Sequence, residues 1–375
     1  MFDYETLRIV WWLLLGVLLI GFAVMDGFDL GVGMLFRWLG RNDEERRALL
    51  ETIEPVWEGN QVWFILGGGA IFAAWPPLYA TSFSGFYVAM FVILAALILR
   101  PVGFMFRNKL THARWRQSWD WALFAGGFVP ALVFGVAIGN VLLGVPFRLD
   151  DELRAAYQGG FFGLLNPFGL LCGLVSVAML TMHGGVYASL KVGDPMSGRA
   201  ARAARVAAIA YIALFALGGI AVAAWVDGYR ITTAFDPGGP SNPLRKEVVR
   251  EAGLWLVNYS RYPWMIAAPV IGFLGAATAF VTVRTRPGLA FLASACSLAG
   301  TICTAGFSLF PFLLPSSLAP DASLTIWDAS SSRTTLLIML VATLIFVPIV
   351  VVYTTWVFRV LKGKVTLEQL HKGAH

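Results

Sequence analysis

Charge is what this chain has least of. Asp, Glu, Lys and Arg make up 13% of 375 residues, while 58% are hydrophobic, and the mean hydropathy is +0.72. A soluble domain of this length must wet its exterior, which such a composition cannot do; a polytopic membrane protein is implied. Histidine is scarcer still, with four residues: His112, His183, His371 and His375. Only His183 falls inside an apolar run, so the chain cannot form a bis-histidine haem site at membrane depth; His183 is expected to be a hydrogen-bonded core residue. The three cysteines, Cys172, Cys296 and Cys303, all lie in apolar runs and form neither a disulfide framework nor a zinc spacing. Walker, CxxC and HExxH motifs are absent. Residues 1–8 carry Asp3 and Glu5 and lack the basic start and cleavage site of a signal peptide, so the first helix is expected to be retained. Alone, the chain does not read as a self-contained enzyme.

What is present is a series of apolar stretches punctuated by charge. Uncharged runs cover residues 9–25, 59–99, 121–147, 155–190, 206–226, 262–283, 287–320 and 334–358. The second is too long for one crossing, because about 20 residues span a bilayer core. Trp75-Pro76-Pro77-Leu78-Tyr79 breaks it: proline cannot continue a helix, and Trp and Tyr favour the interface. The expected fold is all-α, with about nine transmembrane helices in a single integral-membrane domain over residues 1–375. An odd count puts the termini on opposite sides. The loops after the first, third, fifth and seventh helices, with the C-terminal segment from Arg359, hold 19 of the 28 Lys and Arg residues, and the other side holds 9. Positive residues stay cytoplasmic, so the N-terminus is expected to be periplasmic and the C-terminus cytoplasmic. The net charge of +6 is then a topology signal and implies no nucleic acid.

Two carboxylates interrupt the first apolar stretch. Read through Asp26 and Asp29, residues 9–36 make one helix, roughly 42 Å long against a hydrocarbon core of about 30 Å. The acids lie in its second half and share a face at i and i+3. An acid at bilayer depth costs about 2.5–3.5 kcal/mol on insertion scales, so it should face protein or water; the alternative is a frayed helix end among the headgroups. In the expected orientation Trp57-Glu58-Gly59-Asn60-Gln61 opens the second helix from the cytoplasmic side. Arg100-Pro101 closes the third there, and Trp119-Asp120-Trp121 opens the fourth. One polar layer of Asp26, Asp29, Glu58, Asn60, Gln61, Arg100 and Asp120 is therefore expected, with Arg100 neutralising Asp29 or Asp120. Such a layer either handles protons or forms a static salt-bridge network. Glu58, with no basic residue close in sequence, favours the first; Arg100, Asp29 and Asp120 leave both open. Gly27 and Gly31 form a small-xxx-small pair beside Asp29, and Gly67-Gly68-Gly69 lies on the second helix, a composition suited to close packing. Membrane acids also fit a secondary transporter, but no repeated halves are visible.

The longest connection, residues 227–261, is expected on the periplasmic side. Asn242 and Pro243 resemble an N-cap and first helical position. Leu244, Val248, Ala252 and Trp255 would then share one face of a short amphipathic helix, lying on the membrane or docking onto a partner.

Several ordered blocks, DGFDLGVGML (26–35), WEGNQVWF (57–64), FAAWPPLYATSFSGFYVAM (72–90), LRPVGFMFRNK (99–109), LLNPFGLL (164–171), SNPLRKEVVREAGLWLVN (241–258) and FPFLLPSS…SLTIWDASSS (310–332), strongly resemble subunit II of the cytochrome bd quinol oxidases, and the resemblance extends to Arg359. It implies one half of a heterodimer in the bacterial inner membrane that oxidises quinol and reduces O2 to water, generating proton-motive force without pumping. It implies two b-type haems and haem d in the complex, with ligands mainly in subunit I, and no catalytic or metal-binding residue in this chain. A small accessory transmembrane subunit is a further candidate partner. Some members hold a structural quinone, for which no residue here speaks. Under this resemblance Glu58 is expected at a cytoplasmic proton path, with Asp26 and Asp29 in support. Members often carry Asp at the Glu58 position, and the added methylene alters the geometry. Arg100 and Asp120, with Trp57, Asn60 and Gln61, are assigned to structure or subunit contact. Trp63 either lines an O2 access route or packs as an ordinary aromatic.

Overall fold

In the computed structural model, which describes residues 3–365, long helices run back and forth and the β-hairpins are confined to one end. The helices are α1 (Tyr4–Leu39), α2 (Asp43–Ile53), α3 (Trp57–Ala74), α4 (Pro76–Gly85), α5 (Tyr87–Phe106), α6 (Ala113–Leu143), α7 (Pro167–Lys191), α8 (Met196–Ala224), α9 (Val257–Arg261), α10 (Ala267–Thr282), α11 (Pro287–Leu309) and α12 (Arg333–Val360). Among the described residues eight helices are long and apolar enough to cross a membrane, and α3 with α4, bent by 119°, makes a ninth as a broken span. The chain is thus an all-α polytopic membrane protein. Of the helices the sequence did not announce, α2 is polar and lies between two spans. Asn42 caps it, accepting from the Glu45 N–H at 2.8 Å, which meets one of the donors a helix start leaves open.

The break between α3 and α4 falls at the expected Trp75-Pro76. A second break at Phe86 was not expected. The Ser82 hydroxyl donates to the Leu78 carbonyl at 2.7 Å, a bond of the kind that bends helices. Gly85 leaves room for the Tyr157 ring, which a side chain there would strike.

Helix α1 sits at the centre, against α3, α6, α7 and α11. It approaches α7 backbone to backbone: a Cβ on Gly31 would run into the Leu180 carbonyl and Gly184, and one on Gly184 into Gly31. Small residues permit this approach, which apolar lipid gives no other reason to favour. The glycines 67–69 differ; nothing among the described residues lies within 4 Å of where their side chains would project. His183 on α7 is fully buried, its Nε2 at 3.0 Å from the Val24 carbonyl and its Nδ1 at 2.7 Å from the Ser294 hydroxyl. His371 and His375, with the rest of residues 366–375, lie outside the described residues.

Three antiparallel hairpins cap the end where α6, α8 and α11 finish. They pair β1 (Phe147–Leu149) with β2 (Ala155–Tyr157), β3 (Asp227–Ile231) with β4 (Val248–Ala252), and β5 (Phe312–Leu314) with β6 (Leu324–Thr325). The middle hairpin corrects the amphipathic helix expected from Leu244 to Trp255. Val248 and Val249 favour a strand, and their backbone pairs with Arg230 and Ile231. Asn242 accepts from the N–H of Leu244 at 3.0 Å, a turn rather than a helix cap. Gly253, at φ +80°, ends the strand in a conformation that suits glycine. Long-range bonds sew the cap together. Arg8 donates to the carbonyls of Pro237 and Gly239 and to the Ser241 hydroxyl. The Val145 N–H meets the Pro315 carbonyl at 2.8 Å, and Lys246 pairs with Asp328 at 2.8 Å.

Candidate functional site

At the opposite end of the bundle the ionic residues converge, in two layers. The deeper layer is built on α1. Asp26 and Asp29, both buried, lie one turn apart, and Arg100 of α5 reaches them. Its guanidinium grips Asp26 in a two-pronged bond, Nη1 to Oδ2 at 3.0 Å and Nη2 to Oδ1 at 2.8 Å. Asp29 Oδ2 lies 3.8 Å from the same Nη2 and accepts from the Asn60 amide of α3 at 2.8 Å. Asp29 Oδ1 is buried with no partner among the described residues. Two carboxylates thus share one guanidinium, and one carboxylate oxygen is left over.

The second layer lies nearer the helix ends. Asp120 of α6 is held by Arg46 Nη1 and by Arg107 Nε, each at 2.6 Å. Arg107 also donates to Asp43 at 2.9 Å, and Arg116 does so at 2.7 Å. Beside this network Arg199 meets Glu45 at 2.6 Å. Burial works against the charge of Glu45, but the Arg199 guanidinium and the Arg41 N–H outweigh it and hold the carboxyl below its ordinary value.

The expected single layer is therefore corrected. Arg100 takes Asp26 as its main partner, not Asp29 or Asp120. Arg107, the residue that caps the end of α5, follows Arg100 by seven positions, about 10.5 Å along the axis. Arg107, not Arg100, stands at the depth of Asp120. Arg46, Arg107, Arg116, Asp43 and Glu45 went unread in the sequence. The one available signal was the two-turn spacing of Arg100 and Arg107, which puts both on nearly the same face of α5.

Glu58 sits in the first turn of α3, exposed and outside every ion pair among the described residues. It lines a cleft of about 280 Å³ with Glu54, Trp57, Pro101 and Phe104. Partial burial, with Glu51 alongside, raises the Glu54 carboxyl from its ordinary value. A second space, a cavity of about 10 Å³, is lined by Phe104 with Asp29 and Arg100, room for about one water. Phe104 forms a wall of both spaces, and Trp57 packs on it with ring centroids 6.0 Å apart. Gln61 is half-buried on α3. Trp63 is buried, its ring against Gly21 of α1 and its indole N–H without a partner.

The described residues contain no cluster of three or more His, Cys, Asp or Glu that could hold a metal. Both nitrogens of the buried His183 are engaged by Val24 and Ser294, so its ring has no free nitrogen to offer an iron.

A family model described as cytochrome bd terminal oxidase subunit II matches residues 7–361. Cytochrome bd-I ubiquinol oxidase subunit 2 of Escherichia coli strain K12 is 51% identical over 376 residues, covering 100% of this chain and 99% of the relative. Probable cytochrome oxidase subunit 2 of Haemophilus influenzae is 46% identical over 379 residues, with the same coverage. Cytochrome bd ubiquinol oxidase subunit 2 of Bacillus subtilis is 31% identical, covering 96% of this chain and 97% of the relative. The fold resembles a chain of the bd oxidase from Geobacillus thermodenitrificans, with TM-score 0.68 at 17% identity over 95% of this chain and 98% of that one.

Proposed function

We propose, for a chain that belongs to the cytochrome bd terminal oxidase subunit II family, that its ionic end supplies protons to a quinol oxidase. Membership makes the chain a multi-pass protein of the bacterial inner membrane and a subunit, with subunit I as partner, of a haem-containing quinol oxidase complex. The secondary-transporter reading falls with it. The finer reading is that quinol and O2 are the complex's substrates and two b-type haems and haem d its cofactors. Ligands lie mainly in subunit I, and proton-motive force arises without pumping. The hairpin end is read as periplasmic and the ionic end as cytoplasmic, the side on which Lys and Arg concentrate. No residue of this chain speaks for a structural quinone or for a small accessory subunit.

The path begins in the Glu54–Glu58 cleft, where two carboxylates can collect protons from water. Phe104 separates that cleft from the small cavity, and the unpartnered Oδ1 of Asp29 lies beyond it. A movement of the Phe104 ring would join the two spaces and let a single water carry a proton between them. Asp26, locked by Arg100, acts as an electrostatic anchor. Arg100, Asp120, Trp57, Asn60 and Gln61 hold the helices that frame the path, and Trp63 is read as packing against α1. The observation that carries the proposal is the wall shared by an acid-lined cleft and a cavity at a buried acid. The test is Glu58→Gln in assembled oxidase of normal haem content. Turnover and proton uptake should fall about tenfold, equivalent to about 1.4 kcal/mol of barrier. Unchanged rates would refute the path.

A further inference from the structure

Some arginines at the ionic end have a carboxylate partner and others, among the described residues, do not. Arg46, Arg100, Arg107, Arg116 and Arg199 are all paired with acids. Arg202 and Arg205 of α8, and Arg284 and Arg286 in the turn from α10 to α11, have no carboxylate within 4.0 Å among the described residues. The four converge. Arg205 lays its guanidinium over the Phe280 ring, 4.2 Å from the centroid. Further along, Gly272 of α10 faces Tyr211 and Phe215 of α8, so α8 and α10 run antiparallel. Arg202, one turn before Arg205, and Arg284, one turn after Phe280, therefore point toward the same end of the bundle.

Arg205 lies well inside its helix, nine residues from the start, about 13.5 Å along the axis. Its Nε is buried without a hydrogen-bond partner. Around it the same two helices expose apolar side chains: Val206, Ile209 and Val281 are 69%, 57% and 69% exposed. Unpaired guanidinium groups beside exposed apolar side chains match the two halves of an anionic phospholipid. Arginine offers a fork that fits phosphate oxygens and stacks on aromatic rings, and its aliphatic stem can lie along acyl chains.

We propose that the ionic end of the α8–α10 pair is a binding site for an anionic phospholipid. Its headgroup is held by Arg202, Arg205 and Arg284, and its acyl chains lie over Val206, Ile209 and Val281. Basic residues near a membrane surface contribute about 1 kcal/mol each toward anionic lipid, about fivefold in affinity per residue.

The experiment is lipid add-back to the purified, delipidated oxidase complex containing the full chain, read by native mass spectrometry. Phosphatidylglycerol and phosphatidylcholine are titrated separately. Wild type should retain phosphatidylglycerol in preference to phosphatidylcholine. Arg205→Gln should weaken phosphatidylglycerol about fivefold, and the triple variant Arg202→Gln, Arg205→Gln, Arg284→Gln about 100-fold. The corresponding triple Lys variant should keep most of the binding, and the single Arg205→Gln serves if the triple Gln variant fails to assemble. Equal retention of the two lipids by wild type would overturn the proposal, leaving these arginines as topology determinants. So would equal retention of phosphatidylglycerol by wild type and Arg205→Gln. Displacement by millimolar inorganic phosphate would also overturn it, making the ligand a free anion.

Discussion

Replacing Arg100 with methionine removes the cation that two buried acids share. The guanidinium makes two bonds to Asp26, at 2.8 and 3.0 Å, with Asp29 3.8 Å away, and its side chain is only 3% exposed. Methionine keeps much of the apolar stem but leaves uncompensated charge in a medium that cannot solvate it. Breaking a buried pair from one side costs about 3–5 kcal/mol, whereas replacing the whole group by neutral residues is close to neutral. Arg100→Met should therefore destabilise the protein by about 3–5 kcal/mol. The triple variant Arg100→Met, Asp26→Asn, Asp29→Asn should lie within about 1 kcal/mol of wild type. Residues in direct contact couple by about 0.5–3 kcal/mol, and the bidentate geometry puts Arg100 with Asp26 at the upper end. The assay is denaturant titration in mixed micelles, followed by the fluorescence of the 14 tryptophans. Haem per complex is the second readout, expected to fall further than turnover per haem. A loss below about 1 kcal/mol in Arg100→Met, or a triple variant no more stable than the single, would refute the reasoning.

Two further outcomes are expected. Gly31→Ala forces a methyl group into the Leu180 carbonyl and Gly184 and should cost about 1–3 kcal/mol. Gly16→Ala, with nothing within 4 Å, should gain up to about 1 kcal/mol in the same titration; equal effects would show that α1 and α7 do not meet as described. Glu45, whose folded-state carboxyl lies below the ordinary 4.5, stabilises the fold above that value and loses its contribution as pH falls through its folded pKa. Glu45→Gln should therefore cost about 1.5 kcal/mol at pH 7 and flatten the decline of thermal midpoint below pH 4.5. An acid limb identical in wild type and variant would count against the Arg199 pairing.

The helices were legible because the bilayer imposes length and apolarity on each, and proline at Pro76 marks its own break. The ends of α1, α3, α5 and α6 could likewise be brought together, since alternation of direction follows from counting. Which residue meets which could not. Asp26 and Arg100 are 74 positions apart, and their meeting depends on helix rotation and on an offset of two turns between Arg100 and Arg107. Glu45 and Arg199, 154 apart, depend on where the small helix α2 comes to rest. The hairpin over residues 227–252 was misread because Leu244, Val248, Ala252 and Trp255 have helical spacing. The β-branched pair Val248-Val249 and a partner strand about twenty residues earlier prevailed.

The stitched cap has a consequence for biosynthesis. Its bonds join the first part of the chain to its last: Arg8 to Pro237 and Gly239, Tyr4 to Ser331 at 2.7 Å, and Val145 to Pro315. The set cannot be completed until residue 331 has left the ribosome and the preceding spans stand side by side. Most of the ionic end carries no such delay, since Asp26, Asn60, Arg100 and Asp120 all emerge within the first third of synthesis, and only the Glu45–Arg199 pair waits for α8. The molecule is thus built from its charged floor upward, with the roof fastened only when the final helix arrives.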